Sequence, residues 1–101
     1  MSTVETYPYN NTAITTQTTT VVKPESGTLV RLVIPTPVAN ATVKVYDHPS
    51  AASGAVLVDT ITLPGTLLSS GPVTVELGCR ASWGITVVTA GATMSVHVVW
   101  I

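Results

Sequence analysis

Apolar and polar residues alternate along this chain in short runs, and the period is two. In "TLVRLVIP" (Thr28 to Pro35), Leu29, Arg31 and Val33 take one side while Val30, Leu32 and Ile34 take the other. In "ATVKVYD", Ala41, Val43 and Val45 alternate with Thr42, Lys44 and Tyr46. In "PVTVELGC", Val73, Val75, Leu77 and Cys79 oppose Thr74 and Glu76. In the last run Met94, Val96, Val98 and Trp100 oppose Ser95, His97, Val99 and Ile101. Such alternation sends successive side chains to opposite faces of a strand. No stretch keeps a helical period over three turns, and the abundance of Thr and Val favours pleated strands.

Turn-forming residues separate these runs. "KPESG" (Lys23 to Gly27), "PTPVAN" (Pro35 to Asn40), "DHPSAASG" (Asp47 to Gly54), "LPGTLLSSGP" (Leu63 to Pro72) and "TAG" (Thr89 to Gly91) carry Gly, Pro, Ser or Asn where a strand must reverse. The pattern predicts about seven strands, near 14–23, 28–34, 41–46, 55–63, 73–79, 84–89 and 93–101. Short strands at such spacing predict an all-β fold, a single antiparallel β-sandwich of jelly-roll or immunoglobulin-like type. The spacing alone does not separate these two.

The first residues differ from the rest. "STVETYPYNNT" is polar, with Tyr7 and Tyr9 on either side of Pro8. Proline fixes an extended path, and each ring can dock in a neighbour's groove. This divides the chain into an N-terminal arm, 1–12, and a sandwich domain, 13–101. The Thr-rich run "ITTQTTTVVK" reads as a half-exposed or edge strand, since Thr pairs well across strands and stays soluble on an open face.

Composition narrows the function. The 101 residues fit one domain with a core that needs no disulfide or metal. Only 9% are charged against 46% hydrophobic, and the formal net charge is -1. There is no basic footprint for nucleic acid and no polybasic membrane patch. No apolar run approaches the ~20 residues of a membrane span. The opening residues lack a basic n-region and an apolar h-region, so the expected site of synthesis is a cytoplasm. A surface this poorly charged is weakly protected in solution, which points to a partner that covers it.

Candidate chemistry is sparse. Cys79 with His97 is conceivable as a nucleophile and base, but Cys79 closes an alternating apolar set and reads as a small hydrophobe of the core. His97 shares its face with Ser95 and reads as a solvent or interface residue. Asp47 and His48 in "YDHPS" have no second pair at ligand spacing, so Asp47 is expected to cap its own turn while Pro49 stiffens it. Neither catalysis nor a cofactor is expected. Trp83 and Tyr46 are the candidate contacts for a carbohydrate, since exposed aromatics bind sugars; filling a core or interface is the alternative use of a Trp.

Three long segments together carry a resemblance. They are "AITTQTTTVVKPESGTLVRLVI", "ATVKVYDHPSAASGAVLVDTITLP" and "WGITVVTAGATMSVHVVWI". The chain resembles small all-β structural proteins of tailed bacteriophages, among them head-decoration (cement) proteins. The similarity runs from about Ala13 to Trp100 and rests on strand pattern, "VYD…ASG" and "GITVVTAG", with no catalytic motif. It implies a virion structural protein on the capsid surface that binds the major capsid protein and itself, as a homotrimer. A tail, fibre or head–tail connector part of the same fold is one alternative, and a carbohydrate- or host-binding module is another. Under the resemblance the expected interface residues are Tyr7, Pro8 and Tyr9 in the arm, Arg31, and Trp100 and Ile101, the last two lying in a trimer seam or in the core. Arg31 would pair with an acid across an interface or snorkel at the sandwich rim.

Overall fold

Residues 9–62 and 72–101 are described in the computed structural model. They form eight strands: β1 (Asn10–Ile14), β2 (Thr19–Lys23), β3 (Gly27–Ile34), β4 (Thr42–Asp47), β5 (Ala55–Thr62), β6 (Val73–Ala81), β7 (Ile85–Ala90) and β8 (Val96–Trp100). Every pairing is antiparallel. Two four-stranded sheets result, sheet A in the order β1-β8-β3-β6 and sheet B in the order β2-β7-β4-β5. The partners are nested: β4 pairs β5, β3 pairs β6, β2 pairs β7 and β1 pairs β8. The chain therefore runs as one long hairpin whose two arms cross together from sheet to sheet.

The alternating residues meet between the sheets. Ile14, Leu29, Leu32, Ile34, Val96 and Val98 of sheet A face Val22, Val43, Val45, Val58, Ile85 and Val87 of sheet B, with Ala41, Ala81 and Met94 filling the rest. Each such Val, Leu or Ile contributes about 1.5–3 kcal/mol by leaving water. This is a sandwich-like all-β core.

Two departures from the sequence pattern have local causes. The run expected as one strand over 14–23 divides into β1 and β2, which lie in different sheets. The crossing at 15–18 is held by Thr89, whose hydroxyl donates to the Thr16 carbonyl at 2.7 Å and accepts from the Thr18 N–H at 3.1 Å. A run of threonines carries no apolar alternation, so nothing in it marked the break. β1 also takes in Asn10, Asn11 and Thr12, residues read from the sequence as arm.

The second departure lies in β3. Two of its residues occupy the space of one against β8, because Leu29 pairs Trp100 and Arg31 already pairs Val99. This bulge reverses the alternation, as an extra residue must. Leu29 joins Leu32 and Ile34 in the core, all fully buried, instead of sharing a side with Arg31 and Val33. β6 answers with its own irregularity opposite, where Gly78 adopts φ +65°.

Candidate interaction face

The bulge decides what the outer face of sheet A carries. Three rows cross the sheet from β1 to β6. The first holds Tyr9, Ile101, Thr28 and Arg80, Tyr9 lying one step beyond the Asn10–Trp100 pair. Ile101 exchanges both backbone hydrogen bonds with Thr28, at 2.9 and 3.1 Å, which extends the β8–β3 ladder. The second row is Asn11, Val99, Arg31 and Glu76. The third is Ala13, His97, Val33 and Thr74.

Arg31 ties this face together. Its Nε donates to Glu76 Oε1 at 3.0 Å, and its guanidinium carbon lies 5.5 Å from the centre of the Tyr9 ring. The carboxylate sits one strand away on β6, and the ring reaches over from the β1 side across β8. The acid expected across an interface is thus found within the chain. An exposed ion pair of this kind contributes about 0.2–1 kcal/mol, and a surface cation–π contact about 0.5–1 kcal/mol. Their greater effect is to hold a long side chain flat over the sheet, between the half-exposed Tyr9 and Ile101 and the outward Val99 and Val33.

Of the expected interface residues, Tyr9, Arg31 and Ile101 therefore share one surface. Tyr7 and Pro8 lie outside the described residues. Trp100 takes the core: it packs against the buried cluster, its Nε1 donates to Thr12 Oγ1 at 3.0 Å, and Lys23 Nζ sits 5.0 Å over its ring. The period of β8 sends 96, 98 and 100 inward and 97, 99 and 101 outward.

The candidate carbohydrate contacts are placed differently. Trp83, at 67% exposure, projects from the turn between β6 and β7. Tyr46 lies on the outer face of sheet B between Thr86 and Val56, with Lys44 Nζ 5.1 Å over its ring. The described residues enclose no cavity.

The Trp83 turn owes its shape to Asp47, buried at the end of β4. Its Oδ1 accepts the N–H groups of Trp83 at 2.8 Å and Gly84 at 3.2 Å, and its Oδ2 accepts that of Ser82 at 3.0 Å. Burial works against the charged carboxylate, but these three donors and the neighbouring His48 outweigh it, so the carboxyl lies below its ordinary range. The expected local cap is supplied instead by His48, whose Nδ1 accepts from Ser50 at 3.1 Å and Ala51 at 2.9 Å. Sequence reasoning missed the Asp47 role because its partners lie 35–37 residues away.

Cys79 is half-buried and faces inward on β6, packed against the core, whereas His97 faces outward on β8. The two lie on opposite faces of sheet A. Among the described residues no three of His, Cys, Asp and Glu are grouped to hold a metal ion.

Comparisons with protein-family models, curated proteins and solved structures found no match.

Proposed function

We propose that this protein is a virion structural protein of the head-decoration type, docking on the major capsid protein through the outer face of sheet A. The observation that carries this reading is the gathering of Tyr9, Ile101, Val99, Val33 and a pinned Arg31 on one open sheet face. Aromatic residues and arginine are the types enriched at interface hot spots, and a pre-ordered arginine loses less freedom on docking. The low charge of the chain fits a surface that is covered in use.

The fold supports the same reading by analogy. Nested partners, with alternate strands sent to opposite sheets, are the pairing scheme of a jelly roll, an architecture used by viral capsid and lectin domains. In this role each copy adds a modest binding free energy, and repetition over a shell turns it into mechanical resistance through avidity.

One observation favours a second reading. The exposure of Trp83 suits a ring that stacks on a sugar, as in a carbohydrate-binding module.

Cosedimentation with empty shells of the major capsid protein from the same phage genome separates the two. The Tyr9→Ala/Ile101→Ala variant is expected to bind at least about tenfold more weakly, roughly 1.4 kcal/mol, with Trp83→Ala unchanged. Absence of shell binding by the wild-type protein, or binding lost only with Trp83→Ala, refutes docking through sheet A.

A further inference from the structure

Among the described residues four strands lie at sheet edges: β1 and β6 in sheet A, β2 and β5 in sheet B. An edge strand offers unpaired N–H and C=O groups to any other strand, and proteins blunt it with bulges, charges or proline. Three of the four edges carry such devices. β6 is irregular against β3, has Gly78 at φ +65°, and bears Glu76 and Arg80. β2 is irregular between Val21 and Lys23, and Pro24 follows it. β5 pairs β4 with two register shifts and bears Asp59.

β1 carries none of these. Its five residues, "NNTAI", hold no charge, no proline and no glycine, and its register against β8 is unbroken from Asn10–Trp100 to Ile14–Val96. No strand covers its other side among the described residues.

We propose that β1 pairs antiparallel with β1 of a second copy of this chain, joining two A sheets into one sheet of eight strands. The sequence of β1 fits a copy of itself. A two-fold axis at Thr12 is the register that pairs all five residues. It sets Thr12 opposite Thr12, a pair that hydrogen-bonds well across strands, and Asn11 opposite Ala13. Thr12 Oγ1 already accepts the Trp100 Nε1 proton, so one of the two facing hydroxyls is free to donate its proton across the axis while the other accepts. No charge opposes another in the seam, and a formal net charge of -1 gives two copies little reason to repel. The pairing also makes the outer faces of the two A sheets continuous, with Tyr9 of each copy flanking the second copy's chain just beyond Ile14. The inference goes beyond docking on a shell and stands or falls separately from it.

The test is molar mass by light scattering over a dilution series, in the absence of any shell. Wild-type protein is expected at twice the 10.5 kDa of the chain, dissociating on dilution. Asn11 and Ala13 are both exposed and face outward, so substitutions there leave the core intact. Asn11→Lys/Ala13→Lys sets like charges opposite each other twice across the axis, and the mass is expected to halve with an unchanged circular dichroism spectrum. Asn11→Lys/Ala13→Glu sets opposite charges in the same places, and the dimer is expected to return. A monomeric or trimeric wild-type protein overturns the proposal. So does a dimer indifferent to the first variant, or one not restored by the second. A monomer that still binds shells leaves the docking role standing while the β1 seam falls.

Discussion

Asp47 permits a prediction that can be worked through from geometry. Its carboxylate takes three backbone donors from one turn, and the Gly84 N–H among them is buried. Asp47→Ala leaves all three without their acceptor. Ser82 and Trp83 are exposed and can turn to water, whereas the Gly84 donor cannot. Loss of hydrogen bonds to a charged group and one stranded buried donor together cost about 3 kcal/mol, a large share of a typical 5–15 kcal/mol. At about 4–8 °C per kcal/mol in a domain of this size, the melting temperature falls by roughly 12–24 °C. Asp47→Asn keeps an oxygen for Trp83 and Gly84 but turns an NH2 toward the Ser82 N–H, and costs about 1–2 kcal/mol. The pH dependence has a definite sign. A carboxyl held below its ordinary value of 3.8 contributes stability above that value, and the contribution is lost as pH falls through the lower folded-state value. Urea unfolding followed by tryptophan fluorescence at pH 7 and at pH 2.5 measures this directly. The gap between wild type and Asp47→Asn is expected to be wide at pH 7 and to narrow in acid. An equal gap at both pH values, or none at pH 7, refutes the argument.

Other substitutions test separate contacts. Gly84→Ala places a methyl group 2.6 Å from Pro49 Cα, 2.7 Å from the Lys23 carbonyl oxygen and 2.8 Å from that of His48. All three are backbone atoms, so calorimetry is expected to show a loss of about 3 kcal/mol. Thr89→Val removes the hydroxyl that bonds Thr16 and Thr18 and is expected to cost about 1–2 kcal/mol, with faster amide exchange over residues 15–18. Arg31→Ala removes both the Glu76 ion pair and the Tyr9 ring contact and is expected to lower stability by about 0.7–2 kcal/mol, and molar salt is expected to shrink the ion-pair share.

Where period two was unbroken, the sequence was transparent. The facings of β4, β6 and β8 follow from their residues alone, and the inward turn of Trp100 belongs to the same alternation as Val96 and Val98. The reading failed where an inserted residue changed parity without changing composition. "TLVRLVI" looks like a regular strand, and only its two neighbours reveal the bulge that moves Leu29 inside while Arg31 stays outside with Val33. The Thr run hid a change of sheet for a related reason, since threonine suits either face. Tyr9, Arg31 and Ile101 were each expected at an interface, but their meeting on one face depends on the β1–β8–β3 order. That order is a long-range property. Asp47 is the sharpest case, because a local cap was the natural expectation for an aspartate before His-Pro and its ligands lie in a distant turn.

The nested pairing has a consequence for how the chain reaches its native state. β4 and β5 meet by closing a loop of seven residues, 48–54, whereas β1 and β8 are separated by about 80 residues. Closing the longer span from an open chain costs about 2 kcal/mol more in entropy than closing the short one. If β4 and β5 join first, each later pair is brought near by the one inside it, and that extra cost is never met at once. Folding then runs as a zipper from the middle of the sequence outward, slowly, as befits a topology dominated by distant pairings. On this order β1 is the last strand to dock. In the single chain it is also the strand expected to open first, exchanging its amides well before β4 does, whereas pairing with a second copy protects them.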